Sequence, residues 1–492
     1  MAFNQITKKF DIEYAREHTG WSYSEMKWLT EAEAEKANQE RKELLQSISK
    51  GIQNQFKANK ITTGPLSPGC MTCGQGTWSC IFIGSVCTAN CFFCPQDRKK
   101  KKNHPPIESG LIFDNPEDYV DYLEKFNFKG ASFSGGEPLL MFEKLLSYIR
   151  RIRKRMGKKF YIWVYTNGDL VDKDKLMALR KAGLNEIRFD IAARKYDLKK
   201  VEMAAGIIDT VTIEIPAIPE DYEILIKCLP EMKRIGVAHL NLHQLFANQY
   251  CYKQLIARRY TFLHQYDIPI LESENAALRI IKYILENNIG LSVNYCCAIY
   301  KHRFQKTAYR KRFQPFVKKR YEGLTESGFI RSLAIHDTPQ NLKNLVKLFQ
   351  KSKNNESLWF LNEENSVLFF HHSLLNNINF NKYDLTITYL APVLSDGCVD
   401  DGDIKKIALN SNRDIFVGKQ LAYEMTIKNP ATIKSFQELF IEKKNNGNVF
   451  KRFYENYELK TKADVAAMMN EKDRLDNVKT MEYIGTGLYN IY

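Results

Sequence analysis

Three cysteines stand close together in the stretch Cys87-Thr88-Ala89-Asn90-Cys91-Phe92-Phe93-Cys94. The spacing C-x-x-x-C-x-x-C delivers three thiolates, those of Cys87, Cys91 and Cys94, from one short loop. A closed structural metal site takes four ligands, whereas a cubane iron–sulfur cluster held at three irons keeps its fourth iron open. By spacing alone, an iron–sulfur cluster and a zinc ion completed by a distant ligand are both compatible with the loop. A second group lies upstream, where Cys70 and Cys73 form a C-x-x-C pair and Cys80 follows. Two thiolates at that spacing point to one centre, so the pair reads as part of a second metal site, either a second iron–sulfur cluster or a zinc ion. Cys80, Cys296 and Cys297 are its candidate completing ligands. An odd total of 11 cysteines, bunched between positions 70 and 94, does not fit a secreted disulfide framework. It fits metal ligation in a reducing, cytoplasmic compartment.

The elements that must position these thiols are legible in outline. The run Trp78 to Gly84 is strand-like, which puts the cluster loop at the carboxyl end of a strand, where barrel enzymes place their chemistry. Helical stretches follow at Pro116 to Phe126, Leu145 to Met156 and Lys173 to Ala182, the last closed by Gly183. Between and after them, Ala131–Ser134, Phe160–Tyr165, Glu186–Phe189, Val211–Ile215 and His239–Leu242 read as strands. Such alternation predicts a parallel sheet with right-handed crossovers. Counting from Trp78 gives six strands, too few for a closed eightfold barrel.

The cluster loop is followed by Ser134-Gly135-Gly136-Glu137-Pro138 and then by Tyr165-Thr166-Asn167-Gly168. In that order, the three motifs resemble the radical S-adenosylmethionine (SAM) superfamily. Gly69-Cys70, Cys73, Asn185-Glu186-Ile187-Arg188-Phe189 and Glu214-Ile215-Pro216-Ala217-Ile218-Pro219 look like an uncharacterised group described as related to the pyruvate formate-lyase activating enzyme. The resemblance covers roughly residues 64 to 320. It implies an α/β fold with a partial (β/α)6 barrel of radical SAM type, a [4Fe–4S] cluster on Cys87, Cys91 and Cys94, and SAM on the open iron. It also implies reductive cleavage of SAM to a 5′-deoxyadenosyl radical that abstracts hydrogen from substrate. Carried over residue by residue, Phe93 would lie against adenine, Gly135 and Gly136 would let backbone approach closely, and Glu137 would accept from the SAM ammonium. Thr166, Asn167 and Asp190 are candidates for the SAM carboxylate and ribose, and Glu214, Ile215 and His243 for adenine or substrate. An electron donor such as flavodoxin or ferredoxin is the implied partner, with a peptide or protein the expected substrate.

The 492 residues suggest two or three domains. We divide them into a helical amino-terminal extension (1–65), the barrel with its cluster loop (66–300), and a basic linker with an α+β accessory domain (301–492). Thr30 and Glu33 form a capping box, and Leu44, Ile48, Ile52 and Phe56 make an apolar stripe on one predicted helix. Ser357 to Phe370 reads as a hairpin and Tyr383 to Leu394 as a strand pair. Cys398 stands alone. No stretch of twenty apolar residues offers a membrane span. The formal charge of +15 and the basic–aromatic mixing of residues 302–320 motivate two further readings of the region, a solvated amphipathic helix and a track for nucleic acid. The competing functions are thus a radical SAM methyltransferase and a zinc-stabilised nucleic-acid-binding protein. The absence of a D-x-H-x-x-G pattern argues against the cobalamin-dependent kind of methyltransferase.

Overall fold

Short runs rich in β-branched and aromatic residues, such as Ile81-Phe82-Ile83 and Tyr161-Ile162-Trp163-Val164, form strands because their side chains pack well on a pleated surface. The structure, a computed structural model, describes residues 15–16, 19, 22–97, 103–350, 357–395, 404–441 and 478–488. The chain divides into two compact units, one comprising residues 8–308, 408–414 and 485–492, the other residues 1–7, 309–407 and 415–484.

The first unit holds the barrel. Its strands are β1 (Trp78–Gly84), β2 (Gly130–Gly135), β3 (Tyr161–Thr166), β4 (Glu186–Phe189), β5 (Thr210–Pro216), β6 (His239–His243) and β7 (Ser292–Cys296). They pair in sequence order, each parallel to the next. The six expected strands are thus present, joined by a seventh, and together they form a partial α/β barrel. Residues 60–62 extend the sheet antiparallel beside β7, and Ile107–Glu108 does so beside β1. The crossovers run through α3 (Pro116–Lys125), α4 (Phe142–Met156), α5 (Lys173–Ala182), α6 (Lys199–Ala205), α7 (Tyr222–Arg234) and α8 (Leu271–Glu286). Two helices precede the barrel, α1 (Glu31–Ile48) and α2 (Pro68–Gly74). Local chemistry sets the ends: Asp172 caps α5 through the Lys175 amide at 2.8 Å, and Gly183 closes it with a φ of 99°.

Alternation along each strand sends one set of side chains outward and the other into the barrel. The outward set, including Ile81, Ile83, Ile162, Val164, Ile187, Ile213 and Leu240, is wholly or almost wholly buried and forms the apolar layer beneath the helices. The inward set mixes polar residues, Cys80, Ser132, Glu186, Arg188, Thr212, Glu214, Asn241 and Asn294, with aromatic ones such as Trp163 and Tyr165, over which Arg188 lies. Helix α2 closes on this interior. Its cap Ser67 accepts from the Cys70 amide at 3.1 Å and from Arg188 Nη2 at 3.0 Å.

The Thr30–Glu33 capping box is present and opens α1. The apolar stripe is not one helix face, because α1 ends at Ile48 and Gly51 turns the chain back. Ile52 precedes a hairpin of residues 53–62, and Phe56 sits at its bend with a φ of 52°.

In the second unit, antiparallel strands run in the order 359–361, 367–370, 330–336, 385–395, 414–427, 405–408. The expected 357–370 hairpin is present. Residues 383–394 are not a strand pair; Leu385–Ser395 is one long strand paired with Asp414–Ile427, with a bulge at Tyr389/Leu390. Cys398 lies outside the described residues. No described helix is long and apolar enough to cross a membrane.

Candidate active site

The cluster loop leaves β1 at Gly84 and is tied to the end of β2 by backbone alone. The Gly136 amide donates to the Gly84 carbonyl at 2.9 Å, and the Glu137 amide to the Val86 carbonyl at 2.9 Å. Glycine is required here. A Cβ at Gly135 would collide with the Gly84 carbonyl, where φ is 122°, and one at Gly136 with the Val86 carbonyl. On the other side, Asn103 Oδ1 accepts from the Ser85 and Val86 amides at 3.1 and 2.9 Å.

The next strand end joins through Asn167, whose Nδ2 donates to Thr88 Oγ1 at 3.0 Å and to Cys87 Sγ at 3.5 Å. The Ala89 amide also donates to Cys87 Sγ, at 3.4 Å. Arg194 donates to Thr88 Oγ1 at 3.1 Å and to Asp169 at 2.6 Å. Cys87 is exposed, Cys91 and Cys94 are partly so, and all three are free of disulfides. Burial pushes the Cys87 thiol above its ordinary pKa, with the amide donors working the other way. Phe92 and Phe93 meet edge to face at 5.2 Å and pack against the apolar cluster that includes Met26, Leu255 and Phe262. Arg258 lies over the Phe92 ring at 3.6 Å.

Glu137 is the tie between strand ends. Its Oε1 accepts from Thr166 Oγ1 at 2.9 Å and the Leu139 amide at 3.1 Å, and its Oε2 from the Asn167 amide at 2.8 Å. Ionised carboxylate offers about four acceptor positions, so one remains at Oε2. Burial raises the Glu137 pKa against those donors. Asp190, at the end of β4, accepts from the Ala193 amide at 3.3 Å, and burial raises its pKa to about 7.

Deeper in the barrel, Arg188 is 3% exposed and bridges two carboxylates, Glu186 at 2.9 Å and Glu214 at 2.6 Å. Glu214 also accepts from Asn241 Nδ2 at 2.9 Å and meets His243 Nε2 at 2.6 Å. Burial opposes the charge on Glu214, but Arg188 and His243 outweigh it and hold the carboxyl below its usual range. Burial and the nearby Lys301 lower the His243 pKa, which favours a neutral ring. A neutral ring facing an ionised acceptor carries its proton on Nε2, leaving Nδ1 as the acceptor.

The structure therefore gathers Gly135, Gly136, Glu137, Thr166 and Asn167 at the cluster loop, and Glu214 with His243 in the barrel. Ile215 is wholly buried on the opposite face of β5 from Glu214, which leaves its backbone as the part that faces inward. Of the upstream cysteines, Cys296 Sγ lies 3.9 Å from Lys60 Nζ, and Cys70, Cys73 and Cys297 act electrostatically on the same ammonium. Cys80 instead meets Ser132, and Cys297 caps residues 298–300 by accepting from the Tyr300 amide at 3.4 Å. Arg188 was not among the residues expected in the site. Its signal was available: Glu186 and Arg188 alternate with apolar residues in a strand buried on both faces. In the basic stretch, Arg303 donates to Asn59 and to the Gly487 carbonyl, and Arg310 to the Ser327 carbonyl, so two of its charges hold the fold.

The loop suits a cubane cluster. Three free thiols share one end of the barrel, and Cys87 Sγ already receives two N–H donors, as metal-bound sulfur does. Among the described residues, no three His, Cys, Asp or Glu side chains close on a single-ion site.

Comparison with known proteins agrees. Residues 81–203 match the profile of the Radical SAM superfamily. Over 299 residues the chain is 26% identical to a Methanocaldococcus jannaschii protein provisionally named a glycyl-radical enzyme activating enzyme, covering 58% of this chain and 78% of that one. A GTP 3′,8-cyclase of Aquifex aeolicus is 36% identical over 111 residues, 23% of this chain and 33% of that one. Among solved structures, methylornithine synthase superposes with a TM-score of 0.34 and 12% identity, over 55% of this chain and 83% of that one.

Proposed function

We propose that this chain is a radical SAM enzyme that, with a [4Fe–4S] cluster and SAM as its cofactors, abstracts hydrogen from a peptide or protein substrate. Bound together, cluster and SAM supply a one-electron reduction that yields a hydrogen-abstracting radical; the protein supplies position and exclusion of water. Cys87, Cys91 and Cys94 hold three irons. Gly135 and Gly136 keep the loop against β2, and the free position of Glu137 Oε2 accepts from the SAM ammonium. Thr166, Asn167 and Asp190 address its carboxylate and ribose, and Phe93 lies toward adenine. His243, neutral and fixed by Glu214, presents Nδ1 as an acceptor to substrate. A flavodoxin or ferredoxin delivers the electron.

The observation that carries this reading is the knot of backbone bonds and Asn167 contacts that brings three strand ends to one thiol loop. The protein-substrate half rests on the Methanocaldococcus jannaschii relative, whose name describes an activator of another enzyme. The test uses size-fractionated extract from cells grown on deuterated amino acids, incubated anaerobically with enzyme, SAM and dithionite. Deuterium should enter 5′-deoxyadenosine with the macromolecular fraction. Labelling by the small-molecule fraction alone, or S-adenosylhomocysteine as the SAM product, would contradict it.

A further inference from the structure

Inside the barrel, away from the cluster loop, a lysine sits among sulfurs. Lys60 is 1% exposed, and no described carboxylate is its hydrogen-bond or ion-pair partner. Its Nζ lies 3.9 Å from Cys296 Sγ and 3.8 Å from the centre of the Tyr300 ring. The thiols of Cys70, Cys73 and Cys297 also act on its charge. A buried ammonium without an anion is costly.

The sulfurs themselves are placed as acceptors. Cys70 Sγ receives Asn241 Nδ2 at 3.4 Å and Asn294 Nδ2 at 3.7 Å. Cys73 Sγ receives Gln305 Nε2 at 3.0 Å, and Cys296 Sγ receives the Lys60 ammonium. The Tyr300 hydroxyl, buried beside Cys73, lacks a well-formed hydrogen bond of its own. Thiol sulfur is a weak acceptor, whereas metal-bound thiolate is a strong one, and such N–H donors tune iron–sulfur centres. The three ligands come from two rigid elements, α2 and the end of β7, so their separation does not depend on a mobile loop. Cys297 is left out, because its sulfur faces the Asn59 carbonyl at 3.9 Å, where a thiolate would meet an oxygen lone pair.

We propose that Cys70, Cys73 and Cys296 bind a second iron–sulfur cluster in the barrel interior, with Lys60 as its counter-ion. Binding releases three thiol protons to solvent. A [4Fe–4S]2+ core with three thiolates carries one net negative charge, which the Lys60 ammonium balances. A cubane gives each thiolate its own iron, so its ligands need not converge on one ion; among the described residues none do. The site is independent of the cluster loop, and the two can be emptied separately.

The experiment counts iron and acid-labile sulfide after anaerobic reconstitution of the full chain with ferrous iron and sulfide. The wild type should hold about eight irons, on the basis of four per cubane. The Cys87→Ala/Cys91→Ala/Cys94→Ala variant should keep about four, with a dithionite-reduced paramagnetic signal. Cys70→Ser/Cys73→Ser should also keep about four, now those of the cluster loop, and retain reductive SAM cleavage. Wild-type protein with only about four irons overturns the proposal, as does a cluster-loop variant that is iron-free or holds zinc alone. Because the two variants remove different sites, a fold lost in one leaves the other decisive, and failure here leaves SAM cleavage by wild type untouched. Lys60→Met should keep its iron but shift the potential of the second signal downward, since a nearby positive charge favours the reduced state. An unchanged potential would remove Lys60 from the assignment.

Discussion

At the scale of single residues, Glu137 and Asp190 show burial put to different uses. Glu137 accepts three protein hydrogen bonds, and an amide in its place would set a donor against a donor. Glu137→Gln is therefore expected to lose on the order of 1–3 kcal/mol in denaturant unfolding, the cost of a buried unsatisfied group. An unchanged midpoint would mean that its hydrogen bonds are dispensable. Asp190 has a folded pKa of about 7, raised by burial above its ordinary value of 3.8. The folded state thus holds a proton that the unfolded state gives up, and stability is full below pH 4 and lost as pH rises through 7. Relative to Asp190→Asn, the wild type should weaken by more than about 1 kcal/mol between pH 5 and pH 8. A parallel pH profile for the two proteins would contradict the raised pKa of this carboxyl. The cluster loop and its glycines were legible in sequence because each motif is a few contiguous residues. The Arg188–Glu214–His243 chain was not, since it joins three strands whose register only the folded sheet fixes.

Among elements, α2 and the β1–β2 junction carry the tightest constraints. A Cβ on Gly69 would meet Arg188 Nη2 and lie 2.9 Å from Glu186 Oε2, inside the buried ion network. Gly69→Ala should lower the unfolding midpoint, and Arg188→Met should cost about 3–5 kcal/mol by leaving Glu186 and Glu214 without their cation. Equal stability in both variants would show that α2 is not seated on Arg188. Gly136→Ala acts on the cluster loop instead, because its Cβ strikes backbone that cannot rotate away. Iron held by this variant should fall while the barrel stays folded by circular dichroism. The elements also show where local reading ends. Helix α1 ends at Ile48 with Ser49 as its cap, although the four-residue apolar spacing runs on to Phe56. The strand pair expected at 383–394 is one strand, with Pro392 inside it just beyond a bulge, where a lost ladder donor is tolerated.

On the scale of the whole molecule, one unit carries the thiols and the strand ends that hold them, and the other is an antiparallel sheet with its own core. That core is specific: Arg331 pairs with Glu482 at 2.5 Å, and Tyr389 donates to the same carboxylate at 2.7 Å, all three buried. The barrel was foreseeable from the alternation of elements. Of the accessory sheet only the 357–370 hairpin was, because the other strands differ in length and pair out of sequence order. The net charge of +15 remains a property of the surface, with Arg303 and Arg310 spent on the interior. The most direct measurement is dithionite-dependent formation of 5′-deoxyadenosine from SAM by reconstituted wild type beside Cys87→Ala/Cys91→Ala/Cys94→Ala. Wild type should produce it and the variant should not, even if the variant keeps iron elsewhere; equal production by both would contradict the assignment of the SAM-cleaving centre to this loop.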